Sequence, residues 1–167
     1  IPSSSSSNLF LSREMDAINR AIMIRRLTLL ALAIDVVHLK TSMPSIQEKI
    51  VDVLKLGAGI GAAEIYLLLR VLFYRLGDDL PMTLWPVVIT ELVSLYKGVL
   101  SAGLSAAPSP ILATLLQASR LVDDVMMSGC ATPMLYIWVL FRSADMDSPE
   151  QMGGVDIFTR ICEKLRI

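Results

Sequence analysis

Gly57-Ala58-Gly59-Ile60-Gly61-Ala62 matches the G-x-G-x-x-A pattern of a dinucleotide-binding turn. Asp78 and Asp79 follow about 20 residues later, where that fingerprint places its ribose-binding acid. Such glycines cradle a pyrophosphate only between a strand and a helix of a βαβ unit. Here the preceding segment has a helix cap and a helical period, and no second strand follows, so the glycines read as an interhelical turn. His38 is the single histidine, which leaves too few parts for a Ser-His-Asp triad or a His-based metal site. It is expected near a helix C-terminus, where an imidazole interacts well with the last carbonyls. Asp78-Asp79 and Asp123-Asp124 are adjacent in sequence, but neighbours on a helix point about 100° apart. They read as solvated helix-end charges rather than as an acid–base or metal pair. Neither G-x-S-x-G nor a P-loop occurs, so no cofactor or metal is assigned and the chain reads as a non-enzyme.

The composition restricts the alternatives further. Fifteen basic and 16 acidic residues leave a net charge of −1, which creates no strong field for nucleic acid. Cys130 and Cys162 form neither a disulfide framework nor a CxxC pair, which fits a reducing, cytosolic setting. An apolar fraction of 54% and a mean hydropathy of +0.60 raise the question of membrane spans. The longest uncharged runs are Gly98 to Ser119 and Val125 to Phe141. The first is interrupted by Pro108 and Pro110, the second by Gly129 and Pro133. A spanning helix needs about 20 continuous apolar residues, so both runs read as helix, turn, helix. A membrane-embedded helical protein, such as a transporter fragment, is the rival reading.

The elements that carry these residues are helices. Ser3 to Ser7 is a polyserine run, and residues 1–11 read as a flexible linker into a fragment of a longer protein. Residues 12–142 read as a helical domain, and 143–167 as a polar loop with a short amphipathic end helix. The first helix is expected from Ser12 to about Leu39. One of its apolar faces collects Met15, Ile18, Ile22 and Leu29; the other collects Met23, Leu27, Leu30, Ile34 and Val37. Two such faces imply packing on both sides. A second helix is expected after Pro44, where Ser45 and Glu48 form an S-x-x-E capping box. Ala62 to Leu76 is apolar almost all round and central.

A fourth helix runs from Met82 to Ser101, with Thr83 as its cap and Pro86 in its first turn. Its polar stripe, Thr90, Ser94, Lys97 and Ser101, is narrow, so it must be covered on more than one side. Ser109 and Pro110 open a fifth, with Ile111, Leu115, Ala118, Val122 and Val125 inward and Thr114, Gln117, Arg120 and Asp124 elsewhere. Thr132 and Pro133 open a sixth. The class is therefore all-α: an antiparallel helical repeat, a HEAT- or armadillo-like α-solenoid, or an irregular bundle of six to seven helices.

Excess apolar surface on such a stack points to binding, either self-association or capture of a partner. Trp85, Tyr96, Trp138 and Phe141 are the candidate interface residues, because buried aromatics dominate interface energies; core packing is their ordinary role. The nine methionines suit core gaps and adaptable surfaces alike. Arg13, Arg20, Arg25 and Arg26 are the candidates for a membrane-facing patch, although helical spacing spreads them around the axis.

Several segments together resemble the C-terminal region of the Dopey family of large membrane-trafficking proteins. They are Arg25-Arg26-Leu27, Met43 to Lys49, Arg70 to Arg75, Leu84 to Leu92, Leu115 to Asp123, and Tyr136-Ile137-Trp138 with Phe141. The L-W-P-x-x-x-T-E-L stretch is the most specific of them. Order and spacing agree from about Arg13 to Asp145, while the glycine turn and the Ala102 to Pro110 connection differ from the family text. The resemblance implies a non-enzymatic cytosolic scaffold, peripheral on Golgi and endosomal membranes and active in endosome-to-Golgi traffic. It further implies a Sec7-related scaffold and a phospholipid flippase as partners, and it supplies no catalytic residues.

Overall fold

A computed structural model describes the backbone of residues 4–57, 59, 61–103 and 107–142, with side chains from residue 13 to 138 in those ranges. Six α-helices follow one another: α1 (Ser4–Ala33), α2 (Val36–Leu54), α3 (Ala62–Leu76), α4 (Leu84–Ala102), α5 (Ser109–Ser128) and α6 (Ala131–Arg142). A single 3-10 turn, Gly77–Asp79, joins α3 to α4, and no strand occurs among the described residues. The odd-numbered helices form one layer, with α3 between α1 and α5. The even-numbered helices form the other, with α4 between α2 and α6. Contacts of α2 with α3 and of α5 with α4 and α6 join the layers. Each helix thus stacks on the next but one, the packing scheme of an α-solenoid.

The apolar pattern explains which helices end up central. In α3, Ile65, Tyr66, Leu68, Leu69, Leu72, Phe73 and Leu76 are buried. In α4, Leu84, Trp85, Val88, Ile89, Leu92, Leu95, Tyr96 and Val99 are buried. Such surfaces are too wide to satisfy with one neighbour. Among the described residues α4 is also the one helix long and apolar enough to cross a membrane. Its apolar side chains are instead turned into the stack, and the transporter-fragment reading is not favoured.

The first helical break differs from the expectation drawn from sequence. The chain does not run helically to Leu39 and restart after Pro44; it breaks at Ile34-Asp35. Asp35 is the N-cap of α2, its carboxylate accepting from the Val37 amide at 3.0 Å. The preceding carbonyls are satisfied from outside, because the Arg75 guanidinium donates to the oxygens of Leu32 and Ile34, the latter at 2.7 Å. Pro44 lies inside α2 instead of before it. Its lost bond falls on the solvent side, since Lys40 and Pro44 are both exposed, and the helix continues past it. His38 is consequently in the first turn of α2 rather than at a C-terminus. Its ring lies 3.8 Å from the capping Asp35 carboxylate.

Other boundaries shift less. α1 begins at Ser4, inside the segment expected as a linker, and the expected loop and end helix at 143–167 lie outside the described residues. Thr83 precedes α4 but makes no cap bond; its hydroxyl accepts from Gln47 Nε2 at 2.8 Å and ties α4 to α2. Pro108, one residue earlier than expected, is the N-cap of α5, with Pro110 in the first turn. Thr114 is buried, against expectation, because its hydroxyl donates to the Pro110 carbonyl at 2.8 Å and leaves no unmet polar group.

Substituting Arg75 with alanine removes the donor from the Leu32 and Ile34 carbonyls at the end of α1. The expected loss is about 1–2 kcal/mol, read as a lower urea midpoint with an unchanged m-value; an unchanged midpoint would show that the two bonds add nothing.

Candidate functional site

The most buried face of α1 is neither of the two expected from its large apolar residues, although Leu27 and Ile34 of the second pack half-buried against the core. It is built from Ala17, Ala21, Ile24, Thr28 and Ala31, a stripe with helical spacing along which Ile24, Thr28 and Ala31 are buried and the other two half-buried. Small side chains let α1 approach α3 closely. At the near end Gly61 caps α3 with φ +95°, and a Cβ there would lie 3.5 Å from the Cβ of Ala21. Thr28 satisfies itself by donating to the Ile24 carbonyl at 2.9 Å. With mostly small residues inward, most of the large ones turn outward. Met15, Ile18, Ile22, Leu29 and Leu32 are exposed on one side, Leu29 by 66%, and Met23 and Leu30 on another. Positions 15, 18, 22, 25, 29 and 32 alternate steps of three and four, the a/d spacing of a helix-pairing seam. Arg25 occupies one of those positions and is held by Glu64 of α3 at 2.6 Å.

The four aromatic candidates separate. Trp85 and Tyr96 lie in the core, 2% and 1% exposed, and present no surface to a partner. Trp85 meets Phe73 edge-on, with ring centroids 5.8 Å apart. The Tyr96 hydroxyl pairs with Ser119 Oγ at 3.0 Å. Trp138 is 59% exposed on α6, and the Phe141 side chain lies outside the described residues. The four arginines do not form one basic face. Arg13 and Arg20 share a side of α1, Arg26 points to another, and Arg25 is engaged by Glu64.

Sequence reasoning placed the paired aspartates in solvent, but tertiary contacts use one of each pair. Asp124 accepts from Arg70 Nε at 2.6 Å, while Arg70 Nη1 donates to Gln117 Oε1 at 3.0 Å, which clamps α3 to α5. Asp79 pairs with Lys40 at 2.6 Å. The glycine segment joins α2 to α3, with Gly57 at φ +79° and Gly61 at φ +95°. A helix precedes it, so the pyrophosphate-binding context is missing. Among the described residues no three His, Cys, Asp or Glu side chains converge as a metal site. Cys130 is a free, half-buried thiol; Cys162 lies outside the described residues.

One partly open pocket was not foreseen. A cavity of about 220 Å³ lies between the C-terminal ends of α2 and α4 and the N-terminal ends of α3 and α5. Tyr66, Glu91, Ser94 and Thr114 are the side chains in its wall that bear polar groups. Burial, and next the charge of Glu91, pushes the Tyr66 hydroxyl well above the ordinary range of a phenol. Burial pushes Tyr96 up to about 12, against the lowering effect of its bond to Ser119.

Two predictions follow from these placements. Trp85→Ala should cost about 3–5 kcal/mol of stability, seen as a large fall in the thermal midpoint; a stable Trp85→Ala protein would put this residue at a surface. The two tyrosines have raised folded pKa values, so their contribution is intact below the unfolded value near 10 and is lost as pH rises through about 12. Denaturant titrations should show a fall between pH 10 and 12 that is reduced in Tyr96→Phe.

The comparisons with known proteins agree with one another. The family model described as "DOP1 C-terminal" matches residues 1–140. "Protein DOP1 homolog" of Drosophila melanogaster is 33% identical over 94 residues, 54% of this chain and 4% of the relative. The protein of the same name from Drosophila pseudoobscura pseudoobscura gives the same figures. The aligned segment is thus a small fraction of these long relatives. No solved structure matches the chain. With more than half of its length covered by the family model, the chain belongs to the DOP1, or Dopey, family and represents its C-terminal region.

Proposed function

We propose that this domain is a non-enzymatic helical scaffold in endosome-to-Golgi vesicle-mediated protein transport, and that it works by protein–protein contact through the outer face of α1. Membership of the family supports a trafficking role. The observation that carries the contact is the exposed seam of Met15, Ile18, Ile22, Leu29 and Leu32. Among the described helices α1 lies at the edge of the odd-numbered layer, so its outer side is where another helix of a stack would sit. The occupant proposed is α1 of a second copy. Ile22 is the midpoint of the seam, with Met15 and Leu29 one heptad to either side. A two-fold axis at Ile22 therefore sets Ile22 against its counterpart and Met15 against the partner's Leu29. This self-matching is what an isologous contact requires.

In the cell the scaffold is placed on the cytosolic side of Golgi and endosomal membranes, attached peripherally. A Sec7-related scaffold and a phospholipid flippase are its proposed protein partners. Arg13, Arg20 and Arg26, exposed on α1, are available to anionic headgroups.

Light scattering across a concentration series tests the contact. The chain should pass from monomer to dimer, and Ile22→Glu should stay monomeric with unchanged helical circular dichroism, because the residue is not part of the core. A monomer at every concentration would overturn self-association, as would a dimer indifferent to Ile22→Glu.

A further inference from the structure

We infer that the cavity between α2, α3, α4 and α5 is a binding site for a small uncharged apolar molecule, or chain end, bearing one hydroxyl group. The site is distinct from the α1 seam and does not depend on the docking reading. Three observations converge on it.

The first is the wall. Val53, Leu54, Ile65, Leu95, Val99 and Ile111 make it largely apolar. A dry apolar void of about 150 Å³ is enough to hold benzene. In proportion, the 220 Å³ here takes about nine non-hydrogen atoms.

The second is Tyr66. The residue is 3% exposed, and among the described residues nothing hydrogen-bonds to its hydroxyl. Among the described residues no buried side-chain polar atom is sealed without a partner, so this hydroxyl reaches space that a water-sized group can enter. Tyr66 is in the wall of the cavity. A buried phenol without a partner is costly unless a ligand or water completes it.

The third is Gly98. It lies inside α4, where glycine costs about 1 kcal/mol relative to alanine. Close packing does not require it, because a Cβ at this position would meet nothing within 4 Å. What the missing side chain does is leave the cavity wall open, between Glu91 and Ser94 on one side and Ala102 on the other, along one face of α4.

The polar groups set the ligand class. Tyr66 donates one hydrogen bond, and the half-buried Glu91 carboxylate accepts. A ligand hydroxyl can accept from the first and donate to the second. A carboxylate would face the charge of Glu91, and a hydrocarbon would leave the phenol unpaired.

The test uses the 167-residue chain with 4-ethylphenol as the probe. Expected are shifts of the methyl resonances of Val53, Ile65, Leu95, Val99 and Ile111 that saturate with concentration. Tyr66→Phe should weaken 4-ethylphenol about tenfold, the worth of one buried hydrogen bond, and leave 4-ethyltoluene unchanged. Gly98→Leu should abolish binding of both while raising or keeping the melting temperature, which separates a blocked cavity from a damaged fold. The inference is overturned if 4-ethylphenol at millimolar concentration shifts none of these resonances, or if Tyr66→Phe binds it as well as the parent. It is overturned equally if 4-methylbenzoate binds as tightly as the phenol.

Discussion

A helix that is apolar on nearly every side cannot stand in water, and α3 is such a helix. Burying Ile65, Tyr66, Leu68, Leu69, Leu72, Phe73 and Leu76 requires partners on several sides at once. α1, α2 and α5 supply them, and the two-layer stack follows from that requirement. α4 repeats the arrangement in the other layer against α2, α5 and α6. Hydrophobic burial is non-directional, however, and does not by itself decide how far a neighbour slides along α3.

That decision falls to the three charged residues of α3. Glu64 holds Arg25 of α1, Arg75 reaches the final carbonyls of α1, and Arg70 reaches Asp124 and Gln117 of α5. Each links α3 to a neighbour in its own layer, at a different height along its axis. A partly buried charge-assisted bond is directional and costly to leave unmade, so these links set register where greasy contact would not. The small residues of α1 complement them. Ala17, Ala21 and Ala31 admit a close approach, and Gly61 takes the left-handed backbone at the start of α3 that glycine adopts freely.

The same close approach bears on the proposed role. Because α1 contributes mainly small residues to the stack, most of its large ones face outward, and the domain carries a patterned apolar seam. Exposed apolar patches of this kind mark contact surfaces.

Much of this was legible in the chain itself. Helical periods, the proline and glycine punctuation, the polar stripe of α4 and the all-apolar run of α3 follow from local rules, which is why the class, the helix count and the two central helices are readable from sequence. The interhelical role of Gly57 to Gly61 is readable too, since a fingerprint without its flanking strand has no pyrophosphate to hold. Tertiary structure alone decided the rest. Pro44 and the S-x-x-E box signal a helix start, yet the break lies at Asp35, because Arg75, far along the chain, satisfies the carbonyls there. Large apolar residues signal a buried face, yet in α1 the alanines are inside, because inter-helix distance is a property of the pair and not of either helix. Trp85 and Tyr96 became core, and the Tyr66 cavity appeared, only once four helix ends met. Periodicity records which residues share a side of a helix; which side is covered depends on the neighbour that arrives.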